Sequence, residues 1–529
     1  MVKIIKDYYN KDEKQKICYN IFMSVNILSC AVIGLDAYLI NVEADHSPYT
    51  QPGFFIVGLA DKAVDESKSR VRSAVKNSDL EFPRGNVIIN LAPADLKKTG
   101  TYYDLPIAIA CLLRSGQIKN SEFLNNSLFA GELGLNGDLR PVNGILSVAL
   151  MCRKEGIENL FVPEKNAGEA SLIEGIKVYS ISSLRQLTDF LKEKLEMEPL
   201  EKNNYFEVVE SDFNYNFRNI KGQNSAKRAL EISAAGSHNI LMSGPPGSGK
   251  TLLAKSLPSI LPQMTKEESL EVTKIYSAAG RLPDKEPLIT QRPFRSPHHT
   301  ASGISLVGGG AWPKPGEISL AHRGVLFLDE FLEFPRTVLE NLRQPLEDGI
   351  ISISRASGTL KFPAKFVLVA ALNPCPCGYL GDQNKHCTCS PMEIIRYKKR
   401  ASGPLLDRID LHIEVPRIEF EELNCLAPQE SSAEIRERIQ QARNIQLERF
   451  KSEKIFANSE MDSAQVEKYC SINQSARQLL KTAVESLHLS PRVYFRILKL
   501  ARTIADLQAM DTIQNEHLAE ALQYRPKLD

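Results

Sequence analysis

Between Asn239 and Thr251 the chain reads N-I-L-M-S-G-P-P-G-S-G-K-T, which fits the phosphate-loop template G-x-x-x-x-G-K-[ST] at every fixed position. Gly244, Gly247 and Gly249 let the backbone turn tightly and aim its N–H groups inward, with Pro245, Pro246 and Ser248 completing the cradle. Lys250 is placed to reach the β and γ phosphates of ATP and Thr251 to offer its hydroxyl to Mg2+, with Leu252 next to them at the nucleotide. A second chemical group follows in V-L-F-L-D-E (325–330), where four apolar residues end in Asp329 and Glu330. Two carboxylates at the end of a buried strand can divide the work: Asp329 holds Mg2+ and Glu330 polarises the attacking water. The alternatives are a chance glycine-rich turn and a strand ending in solvated acids; each loses ground because the other motif is present. A third group is N-P-C-P-C-G-Y-L-G-D-Q-N-K-H-C-T-C (373–389), with Cys375 and Cys377 in one pair and Cys387 and Cys389 in another. Four thiolates can close a tetrahedral Zn2+ site, with His386 in reserve; free thiols or a redox pair is the competing reading.

These residues need a particular scaffold. Ile240 to Ser243 form a short buried strand, and L-L-A-K-S-L after the loop is helix-forming, so the loop opens on a helix N-terminus and its favourable dipole. The strand before Asp329 and Glu330 should run parallel beside it, because α/β sheets put their ligand crevice at the strand C-termini. F-V-L-V-A-A-L-N is another strand, closing on Asn373. The stretch from Lys250 to Asp329 is far longer than the roughly 30 residues of a strand-helix-strand unit, so something is inserted. The insert contains R-P-F-R-S-P-H-H-T-A-S-G-I-S-L-V-G-G-G-A-W-P-K-P-G-E-I-S-L-A-H-R-G, rich in glycine and proline, with Arg292, Arg295, Lys314, Arg323 and the only tryptophan, Trp312. Its basic groups and aromatic face suit nucleic-acid phosphates and bases; equally, it reads as an ordinary loop whose His298 and His299 bond internally. I-I-S-I-S-R-A-S-G-T-L-K-F alternates like a hairpin with Arg355 near its turn.

At 529 residues the chain suggests about three domains. A hydrophobic share of 43% and a charged share of 24% are those of a globular protein, and the net charge of +1 provides no global field toward nucleic acid or lipid. No apolar run approaches membrane-spanning length and the N-terminus lacks a signal-peptide core, so a cytoplasmic location is expected. Residues 1–22 read as a tail, or as text upstream of a true start at Met23. From 23 to 195 strands and amphipathic helices alternate: paired strands after Ser24, a helix over Asp61–Asn77, strand material over Leu128–Leu135, a helix over Ile145–Lys154. Residues 196–215 form a polar linker, 216–420 the phosphate-loop domain, and 421–529 an all-helical part. That last part opens on S-S-A-E (431–434), a capping box. Arg496, Lys499 and Arg502 recur at three-residue steps and read as a solvated helix face.

G-L-A-D-K-A-V-D-E-S (58–67), N-L-A-P-A-D-L-K-K-T-G (90–100), Y-D-L-P-I-A-I-A (103–110) and A-G-E-L-G-L-N-G-D-L-R-P-V (130–142) resemble the N-terminal domain of the ComM/YifB family of magnesium-chelatase-like AAA+ ATPases. The resemblance extends over nearly all of residues 24–529. It implies an α/β fold in three parts: a Lon-protease-like N-terminal domain, a central AAA+ domain with a parallel sheet, and a C-terminal helical lid. Lon uses a Ser-Lys dyad, yet G-T-Y-Y-D (100–104) has no serine there and Leu146 stands where the lysine would, so this domain is expected not to be proteolytic. By the same resemblance Ile220 and Gly222 contact the adenine and the insert is a helix-2 insert. The 350–362 hairpin becomes a pre-sensor hairpin, Asn373 the sensor-1 amide and Arg492 the sensor-2 arginine. Arg408 in L-L-D-R would be an arginine finger supplied to a neighbouring subunit, with a surface pair to Asp410 as its plain alternative. The implied protein is a ring, expected to be hexameric, that hydrolyses ATP with Mg2+ and acts on DNA in branch migration or unwinding, with no membrane partner. The alternatives are a metal-chelatase motor subunit, a protease relative without protease activity, and a nucleotide-gated scaffold.

Overall fold

Asp36–Ser47 (β2) buries Ile40, Val42 and Ala44 but not the residues between them, the period of a strand with one covered face, and it pairs antiparallel with Val25–Ile33 (β1) from Val25↔Ala44 to Ile33↔Asp36. They belong to a computed structural model that describes residues 25–48, 50–201, 213–284, 286–310, 313–355, 358–382, 385–418, 429–453 and 455–525. The expected tail, the middle of the linker, Trp312 and the side chain of Arg355 lie outside the described residues. The chain divides into two units at Glu207/Val208, with Thr273–Leu288 grouped with the first.

In the first unit, Gly53–Val57 (β3), Asn86–Ala92 (β4), Ser127–Phe129 (β5), Asn159–Pro163 (β6) and Lys177–Ile181 (β7) complete a seven-stranded mixed sheet ordered β3-β4-β2-β1-β5-β6-β7. The strand expected over Leu128–Leu135 is broken: after β5 the chain leaves the sheet, and Glu132–Leu133 pairs instead with Leu139–Arg140. Lys62–Asn77 (α1) is capped by Asp61, whose side chain accepts from the Val64 amide, and buries Val64, Val71 and Val75. Asp104–Arg114 (α2) buries ten of its eleven residues, Asp104 included, and that carboxylate is satisfied by Ser67, by Arg70 at 2.6 Å and by the Leu133 amide. At the two positions that the resemblance compares with a Ser-Lys dyad, the Tyr102 hydroxyl donates to the Asn143 carbonyl at 2.7 Å and Leu146 is fully buried in the helix Ile145–Glu155 (α3).

The second unit is built on five parallel strands, Ile240–Ser243 (β8), Phe294–Arg295 (β9), Val325–Leu328 (β10), Val367–Leu372 (β13) and Leu411–Glu414 (β14), ordered β9-β10-β13-β8-β14; Ile350–Arg355 (β11) and Gly358–Pro363 (β12) form the separate antiparallel hairpin. The central strands are apolar on both faces, as parallel strands covered by helices must be. Asn224–Gly236 (α4) and Lys250–Ser256 (α5) flank β8, and the short helix Arg343–Asp348 (α6) leads into the hairpin. The C-terminal part is helical: Ser432–Arg449 (α7), Gln474–Leu487 (α8), Pro491–Leu507 (α9) and Asn515–Gln523 (α10), with Ser431 and Glu434 forming the capping box read from the sequence. One face of α9 departs from expectation. Arg496 and Arg502 are only 6% and 1% exposed: Arg496 donates to the carbonyls of Asp407 and Ile409, while Arg502 pairs with Asp506. Lys499 donates to the Ser459 carbonyl, and burial lowers its pKa. The three-residue spacing marks an internally bonded face rather than a solvated one.

Candidate functional site

Because β8, β10 and β13 run parallel and in register, the residues just past their C-terminal ends emerge at one edge of the sheet. From β8 the chain turns through Gly244, where a Cβ would come within 2.2 Å of the Val415 carbonyl, and through Gly247 and Gly249 at φ +78° and +91°. The left-handed backbone at the last two explains glycine there. Lys250 opens α5 and points back into the loop, donating to the Gly244 and Pro245 carbonyls at 2.7 and 2.9 Å and to Asn373 Oδ1 at 3.3 Å. Burial lowers its pKa, and Asp329 partly offsets the shift. The Thr251 hydroxyl donates to Asp329 Oδ2 at 2.7 Å, so the two side chains expected to share Mg2+ meet. The loop lysine, the Thr251 hydroxyl, the Asp329 carboxylate and the Asn373 amide thus converge from three strands. Gln223, in left-handed backbone beside Gly222, donates to Ser248 and Pro416 carbonyls and ties the segment holding buried Ile220 to the loop. Leu252 is 40% exposed at the start of α5, an apolar surface beside the loop.

Glu330 sits at φ +51°, a conformation that a non-glycine residue adopts only when its surroundings impose it. Its carboxylate lies 3.2 Å from His299 Nδ1, and the His299 ring is braced by His298 at 4.1 Å. This contact was not readable from the sequence, which offered His298 and His299 only as residues of an internally bonded loop. His298 does bond within the loop, to Thr300, whereas His299 reaches the acid proposed to activate water.

The insert does not present the basic surface expected of it. Arg292 and Glu268 form an ion pair at 2.8 Å with side chains 8% and 3% exposed. Arg295 pairs with Glu317 at 2.6 Å, and Arg323 with Glu271 and Glu460 at 2.9 and 3.0 Å. Three of the four basic side chains expected to meet nucleic-acid phosphates are therefore engaged internally, while Lys314 is exposed.

The four thiols come together. Cys375, Cys377, Cys387 and Cys389 place their sulfurs within 4.8 Å of one another, with Cys375–Cys377 at 3.3 Å and Cys387 at 3.6 Å from both. A regular tetrahedron with metal–sulfur bonds of about 2.3 Å has edges of about 3.8 Å, so this donor set fits Zn2+ with small adjustment. Backbone N–H groups of Tyr379 and Thr388 bring the Cys377 thiol down to about 5. Between the pairs, Gly378 packs on the phosphate loop: at φ +84°, a Cβ there would lie 2.6 Å from Pro246 Cδ. His386 is not among the clustered ligands.

Arg408 and Arg492 do not join the cradle. β14 pairs with β8 from Ile240↔Leu411, so Arg408, three residues earlier, lies at the N-terminal edge of the sheet, and its carbonyl accepts from Asn239. The loop is at the other edge, about 13 Å away along four residues of strand. Arg408 does not pair with Asp410, which faces His238 at 3.4 Å and the Asn239 amide. Both Arg408 and Arg492 instead donate to Glu347, one to each carboxylate oxygen. They line a cavity of about 780 Å³ whose walls include no residue of the phosphate loop.

Family models cover the described architecture piecewise. "Magnesium chelatase, subunit ChlI" matches residues 216–423, "Subunit ChlI of Mg-chelatase" matches 42–166 and "Magnesium chelatase, subunit ChlI C-terminal" matches 429–525. The chain is 46% identical to "Competence protein ComM" of Haemophilus influenzae over 94% of this chain and 97% of that protein, and 42% identical to the "Uncharacterized protein YifB" of Escherichia coli over 95% and 97%. Similarity to the "Magnesium-chelatase 38 kDa subunit" of Rhodobacter capsulatus is 27% over 30% of this chain and 50% of that one.

Proposed function

The chain belongs to the ComM/YifB family of magnesium-chelatase-like proteins, and from that membership we propose that it is an ATP-hydrolysing AAA+ ring motor that acts on DNA. The observation that carries this reading is the division of labour across the sheet: Lys250, Thr251, Asp329 and Asn373 converge at one edge, while Arg408 and Arg492 sit together at the other. A chain so built cannot bring those arginines to its own nucleotide. Copies arranged head to tail can, and a heterologous contact of that kind closes into a ring.

In this assembly the loop N–H groups and Lys250 bind the triphosphate, while Thr251 and Asp329 would hold Mg2+, whose chemistry there would be to offset phosphate charge. Glu330, its backbone fixed and its carboxylate aimed through His299, accepts the proton of the attacking water, which Asn373 helps to position. Arg408 and Arg492 of the next copy neutralise charge building on the γ-phosphate. The DNA role draws support from the likeness to a competence protein and from the β11/β12 hairpin; with Arg292, Arg295 and Arg323 internally paired, the insert contributes Lys314. The first unit is assigned a non-proteolytic role, since Tyr102 and Leu146 supply neither nucleophile nor base.

The test is steady-state ATP turnover of the assembled protein without DNA and with single-stranded, duplex and forked DNA, followed by strand displacement and branch migration on the stimulating form. DNA-stimulated turnover with ATP-dependent strand exchange is expected. Turnover indifferent to every DNA, with no strand movement, sinks the DNA reading and leaves the ATPase.

A further inference from the structure

Glu347 is the residue on which the two distant arginines meet, and nothing in the motifs marks it. It lies in α6 (Arg343–Asp348), where one carboxylate oxygen accepts from Arg408 and the other from Arg492, side chains that belong to the loop before β14 and to the start of α9. The carboxylate is anchored through its helix. Gln344 and Ser352 exchange hydrogen bonds at 3.2 and 3.4 Å, the Gly349 carbonyl accepts from the Ala364 amide at 2.8 Å, and Arg343 donates to Ser402 Oγ at 3.2 Å, next to the segment carrying Arg408. α6 is thereby bolted to the β11/β12 hairpin on one side and to the Arg408 loop on the other. The arginines are not saturated by this arrangement: Arg408 Nε is buried without a partner among the described residues, and two cations on one carboxylate leave a net positive charge.

We propose that Glu347 is a positioning residue that holds Arg408 and Arg492 side by side as one bidentate anion-binding pair for the γ-phosphate of the neighbouring copy's ATP. This rests on the shared-nucleotide reading above. Two free guanidiniums repel each other and each samples many rotamers; a fixed carboxylate between them removes both penalties before the phosphate arrives. Glu347 does not touch the substrate and acts only through the arginines.

The experiment uses full-length assembled protein and ATP. Glu347→Ala should lower kcat at least about tenfold while leaving KM for ATP within about twofold, because the lost interaction belongs to the transition state of the next copy's site. Glu347→Gln, which keeps the side-chain shape and one acceptor, should give a smaller loss in the same direction. The decisive arm mixes Glu347→Ala with Lys250→Ala chains. An intact loop from the first and an intact arginine pair from the second make a complete site, so the mixture should exceed the summed activities of the two variants by about fivefold or more. That recovery also requires the Glu347→Ala chain to be folded and to bind ATP. An Arg408→Ala plus Lys250→Ala mixture serves as reference. If the reference recovers and the Glu347 mixture does not, Glu347 acts on its own chain and the inference is overturned; Glu347→Ala turnover within about twofold of the parent overturns it as well. If neither mixture recovers, the shared-nucleotide reading has failed and takes this proposal with it.

Discussion

Lys250 and Glu330 stand close together yet should fail differently. Lys250 is buried in the loop, its ammonium occupying carbonyls where phosphate oxygens would compete. Lys250→Ala should therefore abolish nucleotide binding itself, read by a fluorescent ATP analogue. Glu330 touches no loop residue in the hydrogen bonds described, and Glu330→Gln should keep ATP affinity while turnover falls by about a hundredfold or more. His299 belongs with it. Since its ring fixes one Glu330 oxygen at 3.2 Å, His299→Ala should lower kcat by about three- to tenfold with ATP affinity unchanged, and equal losses in both quantities would count against the contact's role. The left-handed backbone of Glu330, a strain on the order of 1 kcal/mol or more, is consistent with a side chain whose direction matters.

At the scale of elements, the insert carries buried ion pairs and the strand β14 a buried histidine, and both bear on stability. Breaking the buried Arg292–Glu268 pair leaves a carboxylate unpaired inside the protein, so Arg292→Ala should cost about 3–5 kcal/mol of stability. DNA affinity at matched folded fraction should not change; a selective loss of DNA binding would restore the nucleic-acid role of this arginine. Acid sensitivity follows from the same elements. Burial, aided by Arg496, brings His412 of β14 down to about 4, while an unfolded histidine titrates near about 6.5. The unfolded chain thus binds the extra proton across that interval, and stability should fall as pH drops from about 6.5 to 4, by no more than about 3 kcal/mol from this group. Below that, Glu268 and Glu271 take over. Burial pushes their carboxyls up, but Arg292 for the first, His322 and Arg323 for the second, bring each to about 2, so their contribution is present above the usual carboxylate range and lost toward pH 2. Urea midpoints from pH 7 to 4 should show the first slope, and His412→Leu should flatten it. The cysteine tract is the third element with a consequence. With Gly378 pressed on Pro246 and the tract starting beside Asn373, the zinc reading predicts about one Zn2+ per chain after purification without chelator. Its removal, or Cys375→Ser, should weaken ATP binding; metal-free protein with full affinity would leave the thiols without this role.

For the whole molecule, the proposed sharing of each nucleotide between copies, with Arg408 and Arg492 apart from the cradle, predicts that turnover depends on assembly. ATP turnover per chain should rise with protein concentration through the range where copies associate, in parallel with mass measured by light scattering, and then level off. Constant turnover down to monomer would be incompatible with arginines held at the far edge of the sheet.

What could be read from the residues alone was whatever depends on a few consecutive positions. The phosphate loop, the V-L-F-L-D-E strand, the 350–363 hairpin, the Ser431–Glu434 capping box and the helices of the C-terminal part all rest on local backbone geometry and short-range periodicity, and these elements were legible, as was the family resemblance. The clustering of the four thiols was half legible, two pairs being visible and their approach being tertiary. Long-range charge pairing was not legible. Arg292, Arg323, Arg496 and Arg502 look like surface cations until the fold buries them against acids and carbonyls. Glu347 looks like any helix acid until chain segments 61 and 145 positions away deliver two arginines to it. His299 and Glu330 likewise meet only because the insert folds back to the end of β10. Grouping Thr273–Leu288 with the first unit has the same origin, since which surfaces bury one another is settled by packing across the chain rather than by spacing along it.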